Sequence, residues 1–535
     1  MCQTPLMESN VAQLLSVAAE REPDRMALCE ATTGRKITWR ELDALADAVA
    51  HGLSTAGMVG GHRVVIALGN RIEFVAGYLG VLRARLVAVP VNPRSAAGEL
   101  VRMIADSGAR MVLADADTID TVRVAVTGVS EALEGAGDVG MSRAARPRIV
   151  TVGTPAQAGE LAWDDLVAET GRATPAPDDP EGLAVLLYTS GTSGRPRAAM
   201  LSHRALLANI AQVARVDPPM IHGNDVVFGV LPLFHVYGLN AVLGQLLRHQ
   251  ARMVLVESFH AEEALNIIED EAITVLPVAP PVFAYWRGVE NLKDRIGPVR
   301  LALSGSAPLS VELSTWFTET TGIDVHQGYG LTEASPVVTS TLCSTTMQPG
   351  SVGAALPGVD IRLVDELGHA PEGDDPGEIS IRGDNLFSGY WPDGTDGPDA
   401  DGWYATGDVG FLDPTGDLFL VDRLRELVIV SGFNVYPSEV EEVISEVSEV
   451  AEAAVIGAAD DRTGEAVVAF VRPREGVDPA ELPDLVRRHC SVRLARFKQP
   501  SMIHVVAELP YTVTGKVQKG RLRATERRRA LGLLE

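Results

Sequence analysis

Short, uninterrupted apolar runs alternate with amphipathic segments from Arg63 to Leu309. RVVIALG, LVAVPVN and ARMVLAD are separated by EFVAGYLGVLRA and ELVRMIADSG; LAVLLYTS, VVFGVLPL, ARMVLVES, AITVLPVAP and VRLALSGSAPL follow in the same style. A strand that is apolar along its whole length needs cover on both faces, and helices that carry the chain back to the same end of the sheet supply it. The alternation predicts parallel βαβ units, and its two series predict two α/β subdomains, over residues 1–175 and 176–335. Two such halves packed together place a ligand where the carboxyl ends of their strands meet. An amphipathic helical region from Val11 to Gly60 precedes the first series, and the Pro- and Gly-rich GRATPAPDDPEG (Gly171 to Gly182) links the two.

Beyond Gly350 the texture changes to short strands divided by Gly/Asp turns: VDIRLVD, GEISIRG, GWYATGDVGFLD, GDLFLVD. That pattern predicts a small β-barrel subdomain over 336–423. From Leu424 a compact α+β pattern begins, so a small C-terminal domain is expected over 424–535, ending in a basic helix. The predicted class is α/β: a large N-terminal domain of three subdomains, then a small α+β domain.

Charge narrows the partners. With 46 Lys+Arg against 71 Asp+Glu, the chain of 535 residues carries a formal −25. Broad nucleic-acid binding and a polybasic membrane anchor both rest on Lys and Arg, and neither fits. Cys2, Cys29, Cys343 and Cys490 form no CxxC or Cys/His cluster. A disulfide framework and a zinc site are therefore not expected, and a reducing, cytoplasmic setting is. MCQTPLMESN shows no basic segment followed by an apolar one, so no signal peptide is expected. The uncharged run Val226 to Leu247 is long enough to span a membrane, but Gly229, Pro232, His235, Asn240 and Gln245 interrupt it. It reads as a buried strand entering a helix.

The segment Tyr188-Thr-Ser-Gly-Thr-Ser-Gly-Arg-Pro-Arg197 follows the apolar strand LAVLL directly. Glycines let backbone N–H groups converge on an oxyanion, hydroxyls add donors and arginines add charge, so the composition suits a polyphosphate as well as it suits a mobile Ser/Gly turn. It is not a Walker loop, because no GK[ST] closes it. Gly515-Lys516 is followed by Val517, and Gly328-Tyr-Gly-Leu-Thr-Glu333 has glutamate where a dinucleotide fingerprint needs its third glycine.

Extended to YTSGTSGRPRAAMLSH, the loop resembles the phosphate-binding signature of the adenylate-forming enzymes, the superfamily of acyl-CoA synthetases, peptide-synthetase adenylation domains and luciferases. GYGLTEASP (Gly328 to Pro336), WYATGDVG (Trp403 to Gly410), DRLRELVIVSGFNVYPSEVE (Asp422 to Glu441) and PYTVTGKVQK (Pro510 to Lys519) resemble its remaining signatures, in the family's order and spacing. PVNPRSAAGEL and LPLFHVYGL look most like fatty-acyl or related carboxylate–CoA ligases. The resemblance implies two steps, with Mg2+, ATP and CoA as the small-molecule requirements. A carboxylate attacks the α-phosphate of ATP to give acyl-AMP and pyrophosphate; a thiol then displaces AMP. A carboxylate is a weak nucleophile, so catalysis falls to positioning and to neutralising phosphate charge.

On the matching positions, Thr189, Ser190, Gly191, Thr192, Ser193 and Gly194 would cradle the β- and γ-phosphates. Arg197 stands where the family has lysine, and Ala198 where it has glycine; arginine keeps the charge with a wider donor geometry. Glu333 matches the Mg2+ ligand and Thr332 its phosphate-contacting neighbour. Tyr329 and Gly330 would lie against adenine, and Gly305, Ser306 and Ala307 would line the adenine and acyl side. Asp408 and Arg423 would hold the ribose. Lys516 would reach the carboxylate and α-phosphate during adenylation, and His235 would gate the acyl tunnel, with which the small residues Gly238, Gly305 and Gly330 are compatible. Arg425 takes the place of a hinge residue about which a mobile C-terminal domain would turn, withdrawing Lys516 and presenting Ser431, Gly432 and Phe433 to the CoA pantetheine arm.

The reading is thus an acid–thiol ligase acting on a small-molecule carboxylate, expected to be a fatty acid, with CoA as acceptor. Delivery of acyl-AMP to a carrier-protein phosphopantetheine is the nearest alternative. A regulator that has lost catalysis conflicts with the intact Glu333, Asp408 and Lys516, and a luciferase-type oxygenase shares the signatures. No nucleic-acid partner and no transmembrane segment are expected.

Overall fold

The computed structural model describes residues 8–135, 146–168, 179–189, 197–307, 309–365, 368–371, 375–423, 426–430, 433–460, 464–512 and 515–530. Two large sheets dominate. One has seven strands in the spatial order Leu161–Ala162, Arg148–Val152, Met111–Asp115, Arg63–Ala67, Val87–Pro90, Leu183–Thr189, Arg197–Ser202. All its neighbours run parallel except the last pair, which is antiparallel. The other has nine strands, with Val325–Gly330, Leu301–Ser304, Val275–Val278, Val226–Gly229, Arg252–Leu255 and Met26–Glu30 forming a parallel centre. Antiparallel strands close both edges.

The α/β alternation is therefore borne out, but the sheets exchange strands. Met26–Thr38 joins the nine-stranded sheet, and Leu183–Ser202 joins the seven-stranded one. A boundary at 175/176 does not separate the two sheets. The exchange puts the Tyr188–Arg197 hairpin at the edge of one sheet while the strand leading to Glu333 lies in the other.

Helices Trp39–Thr55 and Ile72–Arg83 share one core cluster with strands of both sheets, burying Trp39, Phe74 and Tyr78 almost completely. The first helix begins where its sequence says it should: Thr38 accepts from the Glu41 N–H and Glu41 accepts from the Thr38 N–H, a capping box. The second is apolar all round because it is covered all round. Asn70, just ahead of it, ties the sheets together. Its buried Nδ2 donates to the carbonyls of Gly229, Leu231 and Val256, and its Oδ1 accepts from Leu233 N–H. That clamp fixes the start of the segment carrying His235.

The run Val226 to Leu247 folds as a strand, Val226–Gly229, a loop, then a helix that starts as a π-helical turn, Tyr237–Val242, and continues as Leu243–His249. Among the described residues no helix is long and apolar enough to cross a membrane. The third subdomain is a four-stranded antiparallel meander, Val359–Val364, Gly377–Gly383, Trp403–Leu412 and Leu418–Arg423, whose edge strands do not pair with each other. It is an open half-barrel. A separate five-stranded sheet begins at Val428–Val430, built on the long antiparallel pair Val450–Asp460 and Gly464–Pro473, with helices Pro437–Ser445, Leu482–Arg493 and Lys519–Ala530 beside it.

Candidate active site

The predicted site residues gather at the carboxyl ends of the strands of both large sheets, on the side where the half-barrel and the C-terminal sheet approach. Thr189 ends one strand and Arg197 begins the next; the two are paired across the antiparallel ladder, and Thr189 Oγ1 donates to the Arg197 carbonyl at 3.4 Å. The expected phosphate cradle Ser190, Gly191, Thr192, Ser193 and Gly194 lies outside the described residues. Its stem is fixed from below: Tyr188 Oη donates to Asp106 Oδ2 at 2.7 Å, and Trp391 Nε1 donates to the Asp106 carbonyl at 2.9 Å.

Arg197 does not stand alone on the surface. Its Nη2 pairs with Asp396 Oδ2 at 2.7 Å, and its guanidinium lies 3.8 Å above the centroid of the Tyr390 ring. The Tyr390 hydroxyl donates in turn to Glu333 Oε1 at 2.5 Å. Burial and the Glu333 charge push the Tyr390 phenol above its ordinary range, so it stays a donor. Glu333 is 8% exposed, in the 3-10 turn Thr332–Ala334. Its backbone carbonyl accepts from Phe387 N–H at 2.9 Å. Among the described residues no donor is assigned to Oε2. A carboxylate held by one oxygen and open at the other suits a hard cation that keeps waters and phosphate oxygens. No group of three or more His, Cys, Asp or Glu among the described residues is built as a metal cage.

Tyr329 and Asp408 meet. The tyrosine is 7% exposed, and its hydroxyl donates to Asp408 Oδ2 at 2.6 Å. Arg423 pairs in register with Asp408 on the neighbouring strand. This joins the strand Val325–Gly330 of the nine-stranded sheet to the half-barrel, so the adenine-side and ribose-side residues form one continuous wall.

On the acyl side, Gly305, Ser306 and Ala307 follow the strand Leu301–Ser304, with Ser306 in the left-handed region at φ 73°. A β-carbon on Gly305 would come within 2.8 Å of the Tyr237 ring. Gly238 and Gly330 are different. A β-carbon there would strike the Pro232 carbonyl at 2.4 Å and the Pro336 carbonyl at 2.3 Å. At those two positions the direction a side chain would take is filled by backbone, whereas at Gly305 it is filled by an aromatic side chain. Tyr237, absent from the sequence-based set, opens the π-helical turn, a local irregularity often found at functional sites. Asn240 anchors that turn by donating to the Ser335 carbonyl at 2.6 Å, close behind Glu333.

His235 is partly buried, and its Nδ1 accepts from Tyr237 N–H at 3.3 Å, which leaves Nε2 to carry the proton of the neutral ring. Burial, aided by the Lys516 charge, holds its pKa down to about 4. Lys516 belongs to the C-terminal domain, yet its charge reaches His235. It follows Gly515 at the end of a turn closed by Thr512 N–H to the Lys516 carbonyl (2.7 Å) and the Tyr511–Val517 bridge. Gly515 packs directly against Pro281 of the large domain. Of the remaining expected residues, Arg425, Ser431 and Gly432 lie outside the described residues, and Phe433 opens the strand Phe433–Val435.

Tyr390 and Asp396 were missed because they sit in the turn-rich stretch GYWPDGTDG, where aromatic and acidic residues carry no periodic signal. Among the residues expected from the sequence, by contrast, Thr189 meets Arg197, Arg197 and Glu333 meet through Tyr390, Tyr329 meets Asp408, and the Lys516 charge acts on His235.

The fold is a large α/β domain followed by a small C-terminal domain, with Lys516 of the small domain close enough for its charge to act on His235 of the large one. The AMP-binding enzyme model matches residues 15–391, and the AMP-binding enzyme C-terminal domain model matches 439–516. The chain belongs to the AMP-binding enzyme family and is an acid–thiol ligase. It is similar to 4-coumarate–CoA ligase 5 of Oryza sativa subsp. japonica, with 32% identity over 94% of this chain and 92% of that protein. Similarity to the long-chain-fatty-acid–CoA ligase of Bacillus subtilis (strain 168) is also 32%, over 97% and 95%. Among solved structures, ATP-bound MatB from Rhodopseudomonas palustris superposes with a TM-score of 0.85 at 32% identity, covering 97% of this chain and 99% of that one. The apo form of the same protein gives 0.73.

Proposed function

We propose that the chain activates a carboxylic acid with Mg·ATP and passes the acyl group to CoA. The observation that supports this is the action of the Lys516 charge on His235 across the two domains, beside the Arg197–Tyr390–Glu333 and Tyr329–Asp408 contacts. In the first step a carboxylate oxygen attacks the α-phosphorus, the bond to the β-phosphate oxygen breaks, and pyrophosphate leaves. Charge moves from the carboxylate to the phosphates, and a long ammonium donor can follow it. Thr189 and Thr332 would contact the phosphates beside Arg197, Glu333 would hold Mg2+, which would supply charge neutralisation of the phosphates, and Asp408 with Arg423 would take the ribose hydroxyls. His235, neutral with its proton on Nε2, adds no competing charge.

The second step needs a thiol where Lys516 stands. The four-stranded half-barrel ends at Arg423 and the next sheet begins at Val428. We place the domain boundary between 423 and 424 and the hinge at Arg425. Rotation about it withdraws Lys516 and brings Ser431, Gly432 and Phe433 to the cleft. The thiolate then attacks the acyl carbon, and AMP leaves with the oxygen.

For the acid, the contact of the Tyr237 ring with Gly305 supports a compact substrate, short or aromatic, seated with that ring in place. A longer fatty acid, the class named for the Bacillus relative, is the second reading and requires Tyr237 to swing aside. Pyrophosphate release over a panel of carboxylates, with CoA or a carrier protein as acceptor, tests both points. Preference for compact acids that Tyr237→Ala shifts toward long chains supports the first reading. A wild-type optimum at long chains supports the second.

A further inference from the structure

We propose that Tyr390 is a positioning residue for the nucleotide: its hydroxyl fixes the Glu333 carboxylate while its ring seats the Arg197 guanidinium, so one side chain sets both the metal-side anion and the phosphate-side cation. The proposal rests on the reading of Glu333 as the Mg2+ ligand and Arg197 as a phosphate contact.

The backbone of Tyr390 is strapped to the strand that begins at Arg197. Ser388 N–H donates to the Met200 carbonyl (2.9 Å), Met200 N–H to the Gly389 carbonyl (3.0 Å) and Trp391 N–H to the Ala198 carbonyl (2.9 Å). Tyr390 thereby lies opposite Ala199, two residues from Arg197. Its ring cannot swing freely either. Phe387 meets it edge-on at 5.1 Å and 79°, and meets Tyr404 likewise at 5.0 Å and 74°. The same Phe387 is tied by its N–H to the Glu333 carbonyl. Two interactions then act through one aromatic system. A phenol that donates to a carboxylate becomes richer in electron density, and an electron-rich ring attracts a cation above its face more strongly. Arg197 also pairs with Asp396, whose side chain is 70% exposed. A phosphate group can take over from Asp396 at that outer edge without the guanidinium leaving the ring.

The test is ATP binding by calorimetry across a Mg2+ series with no acid present, so that no turnover enters the readout. Tyr390→Phe keeps the ring and removes the hydroxyl. Its Mg2+ half-saturation should rise about tenfold, as loss of a partner behind a metal ligand usually does, while ATP affinity at saturating Mg2+ stays within about threefold. Tyr390→Leu removes both functions and should weaken ATP binding even at saturating Mg2+. Glu333→Gln separates the proposal from the reading beneath it. If Glu333→Gln shifts the Mg2+ midpoint and Tyr390→Phe leaves it within about twofold of wild type, Tyr390 does not position the carboxylate, even where the variant melts earlier. If neither variant shifts it, the metal reading and the proposal fall together.

Discussion

Gly515→Ala should slow acyl-AMP formation selectively, and the structure says by roughly how much. Gly515 has φ +80°, and a β-carbon there would lie 2.9 Å from Pro281 Cγ and 3.2 Å from Cδ. Two costs follow, and they act differently. The left-handed backbone costs an alanine about 1–2 kcal/mol, in whatever position the C-terminal domain holds. The clash exists only while the Lys516 turn is docked on the large domain. Ordinary carbon contacts lie half an ångström or more beyond 2.9 Å, and relieving such overpacking costs about 1–3 kcal/mol. A docking penalty near 1.4 kcal/mol is tenfold in the docked population, so adenylation should fall by about tenfold. Thioester formation from synthetic acyl-AMP does not need the docked turn and should stay within about twofold of wild type. The assay is rapid-quench measurement of each half-reaction, with Pro281→Ala added singly and in combination. Pro281→Ala shortens the obstructing ring, so the double variant should recover most of the lost adenylation rate, a coupling that independent sites would not show. Equal loss in both half-reactions, or no recovery in the double variant, would refute the docking argument.

Three further outcomes follow from the geometry. Arg197→Ala removes the cation over Tyr390 and should raise the KM for Mg·ATP about tenfold while the melting temperature barely moves, since an ion pair to an exposed Asp396 is worth little; unchanged ATP kinetics would remove Arg197 from the site. Burial holds His203 at about pKa 4 against an ordinary 6.5. Between those values the unfolded chain binds the extra proton, so stability is full above about pH 6.5 and declines as pH falls toward 4, by up to about 3 kcal/mol. His203→Gln should flatten that decline in urea midpoints measured from pH 7 to pH 5, and an undiminished slope would contradict it. Because the Lys516 charge helps to hold His235 low, Lys516→Ala should raise the His235 pKa above about 4 in an NMR titration, though burial keeps it under 6.5; no change would mean the two side chains do not meet.

The α/β class was legible because local chemistry carries it, and the family was legible because its signatures are compact in sequence. Continuous apolar strands announce buried parallel sheets, and the phosphate-facing, ribose-facing and C-terminal lysine segments each keep a compact motif. What was not legible depends on pairing over long distances. Met26–Thr38 and Leu183–Ser202 are apolar enough to suit either large sheet, and only the final packing decides which edge receives them. Turn-rich antiparallel strands look the same whether or not the first and last meet, so the sequence pattern fits a barrel or an open sheet, and the structure shows the open form. Tyr390 was invisible for a related reason: its role comes from a strap across the strand after Arg197, which no spacing in the sequence encodes.

The central claim is that the docked lysine turn serves the first half-reaction alone. Lys516→Ala, assayed for pyrophosphate release from Mg·ATP and acid and, separately, for thioester formation from synthetic acyl-AMP and CoA, tests it directly. The account predicts that acyl-AMP formation falls by at least about a hundredfold, the scale of losing one preorganised charge donor, while thioester formation remains close to wild type. Comparable losses in both half-reactions would contradict it.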